Sequence, residues 1–317
     1  MTKKATTGIH HITAIVGNPQ ENVDFYAGIL GLRLVKKTVN FDDPGTYHLY
    51  FGNEGGQPGT IMTFFPSPGA YKGRIGSGQV GVTTFVVPEN ALDFWEKRLT
   101  AFKIPFKTEK RFGEDSLQFD DPHGLKLEIV ARQQGSKSQW EFDGITQDEA
   151  IKGFGGAVLF SASPDQTVEL LEQVMGLENI GQDGKYVRLR AEGDLGNVID
   201  IKLTANPRGL MGAGTVHHIA WRAKDFEDHQ EWRAHIAENG FHPTEIVDRQ
   251  YFNAIYFRET GGLLFEIATD PPGFDRDEGA ETMGEQLMLP PWLEEHREKI
   301  EEILIPVTVR ELKEDHL

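Results

Sequence analysis

The stretches GIHHITAIV (residues 8–16) and VHHIAWRA (residues 216–223) decide the fold of this chain. Each is an alternating apolar run, the pattern of a half-buried β-strand. Each also opens with two consecutive histidines, and the two doublets hold four of the eleven histidines in the sequence. The same pair in two similar strands indicates that the chain contains an internal repeat.

The residues that follow each doublet predict the same order of elements. After the first doublet, NPQENVDFYAGILGL (residues 18–32) has apolar residues at helical spacing and a glycine near its end, and three predicted strands follow. The order recurs from about Val80, from Phe154 and from Val216. The sequence therefore contains four βαβββ modules of roughly sixty to seventy residues.

Composition limits the functions that fit this chain. The net charge is −17, which disfavours binding to nucleic acid or to an anionic membrane, since both attract clustered lysine and arginine. The sequence has no apolar run long enough to span a bilayer, no signal-peptide core at its start and no cysteine. We therefore expect a cytoplasmic protein without thiolate metal sites. No glycine-rich nucleotide-binding motif joins a predicted strand to a helix, so we expect no nucleotide cofactor.

The fourfold repeat resembles the vicinal oxygen chelate (glyoxalase-like) superfamily from about residue 8 to residue 269. The resemblance implies an α+β fold in which four βαβββ modules pair into two barrel-like halves, with a metal enclosed between two modules. The predicted units are an N-terminal half at 1–140 with modules at about 8–68 and 78–132, a C-terminal half at 150–270 with modules at about 153–205 and 214–269, and a tail at 271–317 with one helix.

In this superfamily the metal ligands come from the first and last strands of a module. The corresponding positions are His11 and Thr63 in module one, Val82 and Glu128 in module two, Gly156 and Asp200 in module three, and His218 and Glu266 in module four. Pairing modules two and three would give two carboxylates and no histidine, and pairing three and four would leave His11 unused. Pairing modules one and four gives His11, His218 and Glu266, the ligand set of a mononuclear Fe(II) oxygenase. We predict this pairing.

Which histidine of each doublet binds the metal depends on the strand register. Successive strand side chains point to opposite faces, so His10 and His11 are predicted on different sides of the sheet. We take the second histidine as the ligand by alignment with the usual first-strand ligand of the superfamily. His10 then lies off the metal face unless the end of the strand twists, and the sequence offers no role for His217.

Several longer stretches narrow the resemblance to the hydroquinone-type ring-cleaving (extradiol) dioxygenases. These stretches are HHIT (residues 10–13), KKTVNFDDPGTYHLYFG (residues 36–52), GQPGTIMTFFP (residues 56–66), YFNAIYFRETGGLLFEIATD (residues 251–270) and LPPWLEEH (residues 289–296). In that family the metal ligands fall on His11, His218 and Glu266. A histidine, an arginine and a tyrosine near the substrate fall on His10, Arg249 and Tyr256. The loop around Arg249 is shorter than the family's, which leaves the correspondence of that residue open.

The narrower resemblance implies an Fe(II)-dependent ring-cleaving dioxygenase that acts on para-dihydroxylated aromatics, with a small aromatic substrate and O2 as its partners. Mn(II) accepts the same ligands. His10 is a candidate proton carrier because imidazole titrates near neutral pH. Arg249 or Tyr256 is expected to hold the remote hydroxyl or an oxygen anion. His48 and Tyr50 are candidates to line the pocket.

Two other functions stay open at this point. A glyoxalase-type lyase or isomerase uses four protein ligands, and here the fourth position is Thr63 instead of a carboxylate. A non-catalytic binder of aromatic compounds would be expected to lose the metal ligands, which this chain keeps. The stretch PPWLEEHREKIEEIL (residues 290–304) predicts an amphipathic helix that covers a sheet edge, supports a homodimer or closes the pocket.

Overall fold

The computed structural model of the protein describes residues 4–312, so the outer ends of the predicted units, residues 1–3 and 313–317, lie outside the described residues. Module one comprises β1 (Ile9–Val16), α1 (Pro19–Val23) with a π-helical continuation (Asp24–Ile29), β2 (Arg33–Asn40), β3 (Asp43–Gly52) and β4 (Ile61–Pro66). Module two comprises β5 (Gln79–Val87), α2 (Leu92–Ala101), β6 (Phe106–Arg111), β7 (Glu114–Asp120) and β8 (Lys126–Ala131).

The second half of the chain repeats this order. Module three comprises β9 (Gly153–Phe160), α3 (Pro164–Glu169) with a π-helical continuation (Leu170–Val174), β10 (Glu178–Asp183), β11 (Tyr186–Arg190) and β12 (Val198–Lys202). Module four comprises β13 (Thr215–Ala223), α4 (Phe226–Glu238), β14 (Val247–Asp248), β15 (Asn253–Arg258) and β16 (Leu264–Thr269). The tail has short 3-10 turns at Phe274–Arg276 and Glu294–His296 and one helix, α5 (Arg297–Ile303).

Two of the helices, α1 and α4, begin at a side-chain cap. The Asn18 side chain accepts hydrogen bonds from the backbone N–H groups of Gln20 and Glu21, and Pro19 occupies the first turn of α1. Asp225 caps α4 by accepting from the backbone N–H of Asp228. Within the described residues, every helix is too short or too polar to cross a lipid bilayer.

The strands form two eight-stranded sheets. Each sheet combines one module from the N-terminal half of the sequence with one module from the C-terminal half. The first sheet has the order β14-β15-β16-β13-β1-β4-β3-β2, and the second has the order β10-β11-β12-β9-β5-β8-β7-β6. Modules one and four therefore share one sheet, and modules two and three share the other. The predicted α+β fold and the predicted pairing are confirmed. The division at residues 1–140 and 150–270 stays a prediction about sequence units.

The two modules of each sheet meet at an antiparallel pair of first strands that contains two β-bulges. Where β1 meets β13, the pairing skips His10 on one strand and His217 on the other. Where β5 meets β9, the pairing skips Gly81 and Gly155, which occupy the equivalent positions. A bulge adds one residue and re-aims the side chains around it. The first histidine of each doublet is thus the bulged residue.

Candidate metal centre

Three side chains from β1, β13 and β16 meet inside the first sheet. Glu266 Oε2 lies 2.9 Å from His218 Nε2 and 3.4 Å from His11 Nε2, and the two Nε2 atoms are 3.3 Å apart. All three side chains are buried. Among residues 4–312, they are the one group of three such residues whose ligand atoms all lie within 4.8 Å of one another.

The strand register explains why these residues converge and why a fourth ligand is missing. In module four, Glu266 lies opposite the second residue after His218. In module one, Thr63 lies opposite the second residue after His11. Thr63 therefore stands where a second carboxylate would complete a four-ligand site. Its hydroxyl is a poor substitute for a carboxylate ligand, so the arrangement supplies three ligands.

The chemistry of the three residues fits a divalent metal. Both carboxylate oxygens of Glu266 are buried, and neither accepts a hydrogen bond of normal geometry. A buried carboxylate in this condition is unfavourable unless a cation neutralises it. Burial alone would raise the pKa of Glu266, but its contacts with His11 and His218 hold that pKa below its usual range. Burial lowers the pKa of His218, so its imidazole is neutral at pH 7, as a metal ligand requires.

His10 contacts the Nδ1 atom of His11 and thereby orients its imidazole. His10 Nε2 lies 3.1 Å from the carbonyl oxygen of Thr269, which can only accept, so this nitrogen carries the proton and donates. Burial holds the pKa of His10 well below its usual range, so the ring is neutral and its Nδ1 is an acceptor. His11 Nδ1 lies 2.9 Å away and donates to it, which leaves the lone pair of His11 Nε2 free for a metal.

The predicted role of His10 as a proton carrier has not been tested, and its position favours a different one. His10 is 2% exposed, and it is not among the described residues that line the cavity beside the ligands. Strict strand alternation would have separated His10 from His11, whereas the bulge brings their rings into contact. His217 stands in the same relation to His218, with their Nδ1 atoms 2.8 Å apart, but His217 does line the cavity.

Replacing His10 with alanine is expected to weaken metal binding by roughly 10–100-fold, because the imidazole of His11 loses the partner that fixes its tautomer and orientation. Isothermal titration of the apoprotein with Mn(II) measures this change. His229→Ala is the matched control, since His229 is also fully buried and contacts a strand carbonyl, Ile267 O at 2.9 Å, but touches no ligand. Equal losses in both variants would contradict an orienting role for His10.

A cavity of about 360 Å³ lies beside the three ligands. Polar and apolar side chains share its wall. The polar members include His48, Tyr50, His217, Arg249 and Tyr256, and the apolar members are Ile15, Phe41, Phe65 and Phe252. His48 and Tyr50, which the sequence offered as candidates, do line it. Phe41, Phe252 and His217 were not identified as lining residues from the sequence.

Arg249 and Tyr256 reach the same cavity, although the loop before β15 is short. Arg249 Nε donates to the hydroxyl of Tyr256 at 3.2 Å, and its terminal nitrogen NH1 donates to Asp42 at 2.9 Å. Tyr256 lies directly opposite Glu266 in the β15–β16 pair, and burial raises its pKa, so the phenol keeps its proton at neutral pH. Both residues therefore adjoin the ligands, and their catalytic roles stay predictions.

Opposite this pair, module one contributes a continuous chain of hydrogen bonds. The Tyr50 hydroxyl lies 2.8 Å from His48 Nδ1, and His48 Nε2 lies 2.9 Å from the hydroxyl of Thr63. Thr63 is 2.8 Å from the hydroxyl of Thr13. Burial holds the pKa of His48 well below its usual range, so it is a neutral imidazole. The chain fills the fourth-ligand position with hydrogen-bonded hydroxyl groups.

The second sheet closes its equivalent site with arginine. Arg111 donates to Glu128 at 2.7 Å and to Asp200 at 2.6 Å, the two carboxylates that occupy the ligand positions there. Arg188 also contacts Asp200, at 2.8 Å, and it forms an ion pair with Glu114. Every carboxylate in this buried network faces a guanidinium group. The second sheet therefore holds its charges without a metal.

The chain matches known proteins over most of its length. The family model of the Glyoxalase/Bleomycin resistance protein/Dioxygenase superfamily matches residues 8–129 and 153–267. MhqO of Bacillus subtilis, named as a candidate ring-cleaving dioxygenase, is 65% identical over 98% of this chain and 99% of its own. The chlorohydroquinone/hydroquinone 1,2-dioxygenase of Sphingobium indicum is 33% identical over 90% of this chain and 92% of its own.

A solved structure agrees with these sequence relatives. The crystal structure of a candidate dioxygenase from Bacillus subtilis superimposes with a TM-score of 0.97 at 65% identity, and it covers 98% of this chain and 100% of its own. The fold, the pairing of the modules and the sequence identity all indicate the same family. The chain belongs to the Glyoxalase/Bleomycin resistance protein/Dioxygenase superfamily, and within it to the family of ring-cleaving dioxygenases.

Proposed function

We propose that the protein is an Fe(II)-dependent dioxygenase that cleaves the ring of hydroquinone-type aromatics. The observation that carries the proposal is the buried cluster of His11, His218 and Glu266 beside a cavity with aromatic walls. These three residues would hold the metal, and bound iron supplies the activation of O2 and of a phenolic oxygen of the substrate. The relative named for chlorohydroquinone and hydroquinone supports the substrate class.

The size and walls of the cavity suit a single aromatic ring. About 360 Å³ lies near the lower end of the usual range for small-molecule sites. Phe41, Phe65 and Phe252 offer ring faces and edges for packing, and Ile15 adds an apolar surface. A single ring with small substituents fits in this space.

The charges around the cavity favour substituents without charge. Arg249 is the one lysine or arginine among the described lining residues, and its guanidinium already contacts Asp42 and Tyr256. No lysine or arginine without an existing partner is therefore left among the described lining residues to receive a ring carboxylate. Burying an unpaired carboxylate there would be unfavourable. We expect alkyl or halogen substituents to be accepted and carboxylated rings to be rejected.

The chain's own residues supply donors and acceptors for the proton transfers. The oxygen of Tyr256 accepts from Arg249, and the phenol has its own hydrogen to donate to a substrate or product oxygen. Burial lowers the pKa of His217 to about 4, so this cavity-lining imidazole is neutral at pH 7. With His218 Nε2 free for a metal, His218 Nδ1 donates to His217 Nδ1, so His217 Nε2 carries a hydrogen that it can donate. His48, on the other wall, is neutral as well.

Oxygen consumption tests the proposal directly. Protein reconstituted anaerobically with Fe(II) is expected to consume O2 with hydroquinone and methylhydroquinone. For 2,5-dihydroxybenzoate we expect kcat/KM to be at least about tenfold lower, equivalent to roughly 1.4 kcal/mol, because its carboxylate finds no partner. Protein that holds iron but consumes no O2 with any of these rings would refute the proposal. A faster reaction with catechol would contradict the substrate class and leave ring cleavage standing.

Metal exchange separates iron from manganese. The two-histidine, one-carboxylate set binds either ion, so the ligands alone do not select between them. The apoprotein is loaded with equal amounts of Fe(II) or Mn(II), and mass spectrometry of the desalted protein verifies the loading. Both forms are then compared in the same oxygen assay. Activity confined to the manganese form would overturn the iron assignment.

A further inference from the structure

The turn between β14 and β15, residues 249–252, supplies two side chains to the cavity. Arg249 extends from its start, and Phe252 from its end. The ring centroid of Phe252 lies 4.9 Å from that of His11 and 5.4 Å from that of His10. The position of this turn therefore sets one wall of the cavity and the position of its one guanidinium group.

The turn is held in a conformation that its sequence does not favour. Gln250 has a φ angle of +67°, in the left-handed region that side chains other than glycine rarely adopt. Such a residue persists where surrounding contacts determine its conformation. Within the turn, Arg249 N donates to Phe252 O at 2.9 Å and Gln250 N donates to the side chain of Asp248 at 2.7 Å. The remaining restraints come from elsewhere.

Those restraints come from the first residues of the tail. Arg276 donates to the carbonyl oxygen of Gln250 at 2.6 Å. Gly273 N donates to the carbonyl oxygen of Tyr251 at 3.0 Å, and the Tyr251 hydroxyl donates to Asp277 at 2.9 Å. We call residues 273–278 the tail clamp. It contacts the backbone of both central residues of the turn.

The tail clamp is itself anchored on module one. Lys36 of β2 is fully buried, and its ammonium group donates to Asp277 and Glu278 at 2.8 Å each. Phe274 packs on Tyr50 of β3 with ring centroids 5.0 Å apart. The clamp thus ties the outer strands of module one to the turn of module four.

We infer that the tail clamp positions Arg249 and Phe252 for the reaction, so that the tail is part of the catalytic apparatus as well as a cover for the sheet edge. The inference rests on the proposed function, since the positioned residues face the proposed substrate. Arg276, Asp277 and Tyr251 are positioning residues, because they act through the turn and do not line the cavity themselves. When the clamp is lost, Gln250 leaves its left-handed conformation, and Arg249 moves with the turn.

Arg276→Ala tests the inference at an exposed residue, so the substitution removes the bond to Gln250 O without opening the core. We expect kcat/KM for hydroquinone to fall by about 10–100-fold, since displacements on the order of 1 Å change rates by this much. Metal affinity, measured by Mn(II) titration, is expected to stay within about twofold because His11, His218 and Glu266 lie on the strands. Arg297→Ala is the matched control. Arg297 also lies in the tail and bonds a carbonyl, Leu287 O, but does not contact the turn.

Adding Gln250→Gly to Arg276→Ala is expected to restore activity. Such a restoration would not occur if Arg276→Ala acted only by destabilising the fold. Glycine adopts a φ of +67° without strain, so the double variant Arg276→Ala/Gln250→Gly is expected to regain at least about tenfold of the lost kcat/KM. Glycine normally destabilises a fold by raising the entropy of the unfolded chain, so rescue would mark a conformational effect in the turn. Activity in Arg276→Ala equal to that of Arg297→Ala, or a double variant no better than the single one, would overturn the inference.

Hydrogen–deuterium exchange gives a readout that does not depend on turnover. Amide exchange in a peptide spanning residues 249–256 is expected to accelerate in Arg276→Ala, to stay unchanged in Arg297→Ala and to slow again in the double variant. If the wild-type protein consumes no O2 with any ring, the proposed function fails and this exchange pattern still decides whether the clamp holds the turn. Unchanged exchange in Arg276→Ala would refute the clamp even in an active enzyme.

Discussion

Replacing Glu266 with glutamine is expected to abolish metal retention while leaving the fold intact. The substitution keeps the size of the side chain but removes the anionic oxygen that faces His11 and His218. We expect metal affinity to fall by at least about 100-fold, since even residues behind the ligands change it by roughly 10–100-fold. Mass spectrometry of the desalted protein, after anaerobic loading with Fe(II), measures the loss.

The apoprotein should respond in the opposite direction. Both oxygens of Glu266 are buried without a hydrogen bond of normal geometry, so glutamine removes a buried charge that in the apoprotein faces only the imidazoles of His11 and His218. Glu266→Gln apoprotein is expected to unfold in urea at the same or a higher denaturant concentration than the wild-type apoprotein. A variant that binds iron as well as the wild type would show that the metal is held elsewhere.

Glu128→Ala is expected to give the reverse pattern, a large loss of stability with metal binding retained. Glu128 occupies the position in the second sheet that Glu266 occupies in the first, but it accepts from Arg111, with contacts at 2.7 and 3.3 Å, and from Gln118. Without Glu128 the buried network is one carboxylate short, and Arg111 and Arg188 must share Asp200. We expect the free energy of unfolding to fall by roughly 3 kcal/mol. Urea denaturation of the metal-free protein measures it.

A second substitution tests the cause of that loss. In Glu128→Ala/Arg111→Met the excess guanidinium is gone, while Asp200 keeps its contacts with Arg188. We expect the double variant to regain at least about 1 kcal/mol relative to Glu128→Ala. Equal metal loss in Glu128→Ala and Glu266→Gln would mean that the two sheets have been assigned the wrong roles.

The sequence was sufficient for the architecture and for the meeting of the three candidate ligands. Four repeats with two histidine doublets predicted the joining of modules one and four, and the strand register places His11, His218 and Glu266 together. Their identity as metal ligands stays a proposal. Residues at equivalent positions in a repeat predict contacts well because each copy has the same strand order.

The β-bulges were the main structural feature that the alternation of side chains along a strand did not predict. A strand of strict period two places His10 and His11 on opposite faces, whereas a bulge of one residue puts their rings in contact. A signal was present in the other pair of modules, where Gly81 and Gly155 interrupt strands at the equivalent positions. Glycine inside a strand often marks a bulge, so comparing all four copies would have predicted it.

The arginine network and the tail clamp could not be predicted from the sequence. Glu128 and Asp200 were expected as a pair of carboxylates, but Arg111 comes from an outer strand whose register with them depends on the whole sheet. The contact of Arg276 with Gln250 joins residues that lie 26 positions apart and depends on the path of an irregular segment. Neither arrangement has a periodic pattern that a sequence would reveal.

The arginine network of the second sheet makes the folding of that sheet independent of the supply of a metal. Arg111 and Arg188 neutralise the carboxylates there from within the chain, so that half of the molecule is complete as soon as it is translated. The first sheet needs an ion only to occupy the site between three converging ligand atoms. On the proposed function, a shortage of the metal would therefore leave the protein folded with its site empty, and later binding of the metal would restore activity without new protein synthesis.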